Sequence, residues 1–381
     1  MKAIINNDKL TLEDGRVISL DNSFVLPAFA DVHVHFREPG YEYKETIRTG
    51  SMAAAAGGYT DVCTMPNLVP APSDAEAVRK QLDIIERDAV IGVHPYGTIT
   101  EGGLGTGAVC DLEALAPHVI AFSDDGFGVQ DRGTMREAME RARDLGKLIV
   151  AHCEDMELLH AGKVRESEWR QIERDLKLAD ETGVGYHVCH ISCKESVEVI
   201  REAKKSGVNV TCETAPHYLV LDTDDLNEFL CSYPERGGNF KMNPPIKDRS
   251  DRDALIEGIC DGTVDMIATD HAPHSEEEKS RGFLKSMNGI VGLETAFPVL
   301  YTGLVCEGII TLDKLTDIMS VNPRRRFGLE APEDYVVIDG ANEYVINPDN
   351  FLTKGRSTPF DGWRVKGRPI VTIKNGEVVY G

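Results

Sequence analysis

Short apolar, β-rich runs alternate with amphipathic stretches along most of the chain. The runs fall at 25–33, 59–66, 89–96, 118–123, 147–152, 184–191, 208–214 and 264–269. They are short and carry few charges, which suits strands covered on both faces. Between them, residues 43–56, 74–87, 110–116, 134–145, 166–182, 194–206 and 251–260 read as helices. Ser73-Asp74 offers a capping oxygen before one of these, and Gly58, Gly146, Gly183 and Gly207 stand where four of them stop. Eight strands with helices between them predict an α/β chain, a TIM-type (β/α)8 barrel. A doubly wound open sheet is the competing architecture, but no Gly-x-Gly-x-x-Gly turn accompanies it. The patch Gly102-Gly103-Leu104-Gly105-Thr106-Gly107 lacks the Lys-Ser/Thr of a phosphate loop and reads as a flexible surface loop.

The rhythm changes at both ends. Residues 1–26 read as short strands with turns at Asn6-Asn7-Asp8 and Glu13-Asp14-Gly15. Strand-like pieces return at 335–338, 344–346 and 370–373, the last before an Asn375-Gly376 hairpin turn. The predicted organisation is a barrel over 27–334 inserted into a small β-domain built from 1–26 plus 335–381. The run Arg324-Arg325-Arg326, just after Asn322-Pro323 at a helix end, reads as a solvated or capping cluster.

Composition narrows the function. The chain has 381 residues and a net charge of −22, which speaks against nucleic acid or an anionic membrane as partner. An anionic substrate would need a deliberate cationic pocket. Nine cysteines without a Cys-x-x-Cys pair, scattered in apolar segments, suggest reduced, core-filling thiols. The first residues show no apolar signal region, and no stretch reaches membrane-spanning length. The expectation is a soluble, cytoplasmic protein.

Candidate chemistry gathers where the predicted strands finish. His33 and His35, two residues apart on a strand, project together. His-x-His alone fits ordinary half-buried histidines as well as a metal site. Further runs end at Ser123-Asp124-Asp125-Gly126, His152-Cys153-Glu154, His190-Ile191-Ser192 and Thr269-Asp270-His271. Barrel active sites form at that end of the strands. A nitrogen and oxygen donor set without thiolates suits zinc or a similar divalent ion, with positions left for water.

The stretch Asp31-Val-His-Val-His-Phe-Arg-Glu-Pro-Gly40 resembles the dihydroorotases of the amidohydrolase superfamily. The likeness runs on through Thr64-Met65-Pro66-Asn67, Phe122 to Gly126, His152-Cys153-Glu154-Asp155, His190-Ile191-Ser192, Asn243-Pro244-Pro245, Thr269 to His274 and Gly289 to Glu294. It implies reversible cyclisation of N-carbamoyl-L-aspartate to dihydroorotate in pyrimidine synthesis, with one or two zinc ions. It also implies that His33, His35, Asp125, His152, His190 and Asp270 are metal ligands, Asp270 being the proton carrier as well. Arg37, Asn67, Asn243, His274, Asn288 and Gly289 would hold the substrate. Hydantoinase and allantoinase relatives carry a carboxylated Lys at the fourth strand, whereas no Lys stands between Lys80 and Lys147 here. Asp125, with Asp124 as the alternative, takes that place. A homodimer and association with an aspartate carbamoyltransferase are the partner expectations. A hydantoinase-like cyclic amidase and a non-catalytic homologue serving as partner of a carbamoyltransferase are the competing functions.

Overall fold

The computed structural model describes residues 3–6, 9–12, 17–20 and 22–381. The predicted turn residues Asn7, Asp8 and Glu13 to Gly15 lie outside the described residues.

Parallel strands Phe29–Val34, Tyr59–Thr64 and Gly92–Pro95 pair in that order. Strands Ile149–Ala151, Tyr186–Val188, Val210–Thr214 and Met266–Ile267 form a second parallel set. The predicted run 118–123 forms no strand of its own. It joins the two sets through single parallel bridges, Gly97 to Phe122 and Phe122 to Ile149. A Val34 to His271 bridge, with His35 N donating to His271 O at 2.8 Å, returns the last strand to the first. The parallel pairings thus run in a closed circuit. Ala30, Val32, Cys63, Met65, Tyr96, Ala121, Val150, Cys189, Met266 and Ala268 pack together inside it. The larger apolar cluster lies between the strands and the helices.

The helices begin and end for local reasons. Asp74 caps Ala75–Asp88 by accepting from Ala77 N, and Gly183 closes Val164–Thr182 in a left-handed conformation. Helices Ile47–Ala56, Arg132–Asp144, Lys194–Lys205 and Arg249–Asp261 match the predicted segments to within a few residues at their ends.

The predicted first run, 25–33, is two strands rather than one. Ser23–Pro27 turns away at Ala28 and pairs antiparallel with Tyr335–Asp339. Arg368–Lys374 and Glu377–Tyr380 complete that sheet, so it joins Ser23–Pro27 to the C-terminal strands, while Ala3–Asn6, Lys9–Leu12 and Val17–Ser19 form a separate three-stranded sheet. Its hairpin uses Asn375 and Gly376 at φ 51 and 75, the left-handed pair a tight two-residue turn needs.

Two readings of surface features need correction. Of the three consecutive arginines, Arg324 is not solvated: it binds Asp61, Thr60 Oγ1 and the Ala28 and Phe29 carbonyls at the N-terminal ends of two strands. Arg326 does the same for the Tyr186 and Asn209 carbonyls. The glycine-rich patch is on the surface but is anchored, because Gly105 N and the preceding Thr100 N donate to the buried Asp124 carboxylate.

Candidate active site

Every predicted site residue except His33 lines one cavity of about 560 Å³ at the C-terminal ends of the parallel strands. His33 lies fully buried directly beneath it. Three of these residues, Arg37, His190 and Asp270, hold left-handed backbone at φ 59, 28 and 48. Non-glycine residues adopt that conformation at a cost, and such strain concentrates where side chains must be aimed.

Asp125 is the hub. Its Oδ1 lies 3.3 Å from His33 Nε2, 3.8 Å from His152 Nδ1 and 3.9 Å from His190 Nε2. Its Oδ2 lies 3.6 Å from His35 Nε2. Asp270 Oδ1 approaches His35 Nε2 at 3.1 Å and His33 Nε2 at 3.6 Å. His152 Nδ1 and His190 Nε2 are 3.0 Å apart. Asp124, the alternative at the fourth strand, faces away and accepts from Ile99 N, Thr100 N, Thr100 Oγ1 and Gly105 N.

The outer partners fix the imidazole tautomers. His33 Nδ1 lies 2.8 Å from the buried Glu213 carboxylate. Burial would push that carboxyl up, but His33 and His187 hold it down at about 2. An ionised Glu213 only accepts, so His33 donates from Nδ1 and presents its Nε2 lone pair to Asp125 and Asp270. His35 Nδ1 similarly meets Asn67 Oδ1 at 2.8 Å, while Asn67 Nδ2 donates to Asp125 Oδ2 at 3.1 Å. Lone-pair nitrogens therefore face carboxylate oxygens, an arrangement that repels unless positive charge lies between them. Among the described residues, His33 Nε2, Asp125 Oδ1 and His152 Nε2 are buried without a hydrogen-bond partner. Burial opposes charge on both members, yet the carboxylates favour positive charge at this place, either a proton on His33 Nε2 or a cation between the two groups; that demand raises the His33 pKa well above its usual value and lowers that of Asp125 well below. His33, Asp125 and His190 form one group with metal-ligand spacing, and His33, His35 and Asp270 another. This donor set fits a divalent cation.

The opposite wall of the cavity is cationic. Arg37 is almost fully buried and makes no ion pair among the described residues; its Nε donates to Pro273 O and its Nη2 lies 3.4 Å from His274 Nε2. Lys44 stands beside it, 3.2 Å from His274 Nδ1 and paired with Glu278 at 3.0 Å. Burial, then the Arg37 and Lys44 charges, lower the His274 pKa to about 3, so the ring is neutral. His274 Nε2 donates to Asn288 O at 2.8 Å when Nδ1 accepts from Lys44. Asn243 Nδ2 is held by Glu154, which leaves its oxygen as the free acceptor.

Two groups escape a reading of the sequence. Glu213 carries a usable signal, an acid inside the apolar strand Val210–Thr214. Lys44 carries none, being one charge in a polar stretch. Asn67, expected at the substrate, has both ends of its amide serving His35 and Asp125.

A family model described as Dihydro-orotase-like matches residues 22–173. Over 98% of its length the chain is 47% identical to a dihydroorotase of Fusobacterium nucleatum and 44% identical to one of Bacillus cereus, in each case covering 91% of the relative. Among solved structures, an L-hydantoinase (dihydropyrimidinase) from Arthrobacter aurescens gives a TM-score of 0.84 at 25% identity, covering 99% of this chain and 92% of that one. A dihydropyrimidinase from Brevibacillus agri gives 0.82 at 24%, with 99% and 91% covered, a likeness of fold alone. The resemblance to dihydroorotases is nearly twice as dense in identical positions and spans almost the whole of both chains, and on that ground the chain belongs to the dihydroorotase family.

Proposed function

We propose that the chain interconverts N-carbamoyl-L-aspartate and (S)-dihydroorotate in de novo pyrimidine synthesis, on a (β/α)8 barrel that the closed circuit of parallel pairings supports. One observation carries the substrate assignment: Arg37, a buried guanidinium with no counter-ion among the described residues, faces the same cavity as the Asp125-centred cluster. A planar fork of donors suits the carboxylate that this substrate carries and a plain cyclic amide lacks. The polar chemistry is that of an enzyme with a small-molecule substrate.

Zinc, as one or two ions, would be held by His33, His35, Asp125, His152, His190 and Asp270. When bound it supplies Lewis acidity, which polarises the ring carbonyl and makes water a nucleophile near neutral pH. Asp270, whose pKa lies well below the carboxylate range because the neighbouring histidines outweigh burial, is ionised and free to accept a proton. It takes that proton from the attacking water and, binding it weakly, passes it to the leaving ring nitrogen as the C–N bond breaks. Arg37 fixes the carboxylate, and Asn243 offers its oxygen to a substrate N–H. The Asn288–Gly289 backbone closes the far side. Run backwards, the same groups serve cyclisation.

No helix among the described residues is long and apolar enough to cross a membrane. The nine free cysteines support a reducing, cytoplasmic setting. A homodimer and contact with an aspartate carbamoyltransferase belong to this reading through the family resemblance.

The test compares kcat/KM for dihydroorotate and dihydrouracil. A charge-assisted hydrogen bond is worth about 1.5 to 3 kcal/mol, so dihydrouracil should be poorer by at least about tenfold. Arg37→Met should abolish that preference. Equal turnover of the two by wild type, or an equal loss of both in the variant, would move a hydantoinase-like activity ahead.

A further inference from the structure

We infer that Lys279 is a positioning residue whose ammonium ties the segment leading into Asn243 to the loop carrying Asn288 and Gly289, and thereby shapes the substrate wall of the cavity. The inference rests on the dihydroorotase reading above. Lys279 closes the short helix Glu276–Lys279 and is buried. Its Nζ donates to Lys241 O at 3.0 Å, Met287 O at 2.8 Å and Gly289 O at 2.6 Å. An ammonium has three N–H groups, and here all three go to backbone carbonyls. Among the described residues no carboxylate pairs with it. A buried cation without a counter-ion is costly, and backbone alone already joins these segments, since Gly289 N donates to Lys241 O at 2.9 Å.

What the cation adds is convergence. Three carbonyl dipoles pointing at one spot repel each other unless positive charge sits there. With it, the 287–289 loop is pressed against the strand end, close enough that a Cβ on Gly289 would meet Ala272 O at 2.5 Å. Met287, Asn288 and Gly289 all line the cavity. The histidine and carboxylate cluster is held by other partners, Glu213 and Asn67, so loosening this loop should spare it. Burial and the Lys241 charge lower the Lys279 pKa to about 7, with Glu278 opposing. Below that value the side chain has three donors; above it the neutral amine has two, and the grip weakens.

The experiment is dihydroorotate hydrolysis by zinc-loaded wild type and Lys279→Met across about pH 6 to 9, with metal content measured alongside. The expected result is a KM about tenfold higher in the variant, with kcat within about threefold and metal content unchanged. Wild-type KM should rise through about pH 7, and the variant should show no such step. Turnover with wild-type KM in Lys279→Met, or a step that survives the substitution, overturns the inference while leaving the functional reading intact. Absence of dihydroorotate turnover in wild type overturns the reading beneath it and the inference with it. If Lys279→Met does not fold, Lys279→Gln decides the matter, because an amide keeps two donors: an intermediate KM without the pH step supports the role, and a wild-type KM or a retained step refutes it.

Discussion

The same strands carry an ionic cluster at each end, and the two are built on opposite terms. At the N-terminal end Asp61, on the Tyr59–Thr64 strand, accepts from His94 Nε2 at 2.9 Å, Arg324 Nη1 at 2.9 Å and Lys374 Nζ at 3.3 Å. Burial would raise its pKa, but these partners lower it to about 2. The group is complete within the protein. At the C-terminal end Asp125 and Asp270 face histidine ring nitrogens, and buried nitrogen and oxygen atoms have no partner among the described residues. That group is complete only when something is added. Residue types barely differ between the two ends; whether polar atoms are satisfied separates a stabilising cluster from a functional one.

The contrast predicts that matching substitutions fail in different ways. Asp270→Asn should keep the fold and lose turnover by about 100- to 10,000-fold, since an amide cannot carry the proton. Activity within about threefold of wild type would break the functional half of the comparison. Asp61→Asn should do the reverse. Its depressed carboxyl contributes about 2 kcal/mol, fully present above about pH 4 and lost as pH falls towards about 2. Urea unfolding should therefore show a gap between wild type and Asp61→Asn that is constant near neutrality and shrinks in acid, with kcat/KM unchanged. A gap that widens in acid, or a large loss of activity, would contradict the stabilising role.

Much of the site and of the fold is legible in the order of residues alone. Strand-end histidines and aspartates announce themselves because they interrupt apolar runs, and His33, His35, His152, His190 and Asp270 all stand at such interruptions. Helix ends are marked by residues such as Asp74 and Gly183, whose roles are local. Features that depend on distant partners are not visible in this way. The 25–33 run looks continuous because both halves are apolar, yet Tyr335–Asp339 captures one half. Run 118–123 is recognisable, but its pairing is confined to single bridges. Family spacing favours Asp125 over the adjacent Asp124, and the physical reason appears only in the structure, where the backbone N–H groups of Ile99, Thr100 and Gly105 claim Asp124. Lys44 and Lys279 carry no signal in the sequence, because burial of a single lysine leaves no periodic mark. Arg324 reads as part of a solvated or capping cluster because its carbonyl partners lie almost three hundred positions away.

The central claim is that the C-terminal cluster is an incomplete site that a divalent cation completes. Metal content, with dihydroorotate hydrolysis measured before and after chelation, tests it most directly on wild type, His33→Ala and His190→Ala. The account predicts that wild type takes up one or two zinc ions, loses activity on chelation and regains it with zinc, while both variants hold less metal. Unchanged metal uptake in both variants, or full activity in chelated wild type, would contradict it.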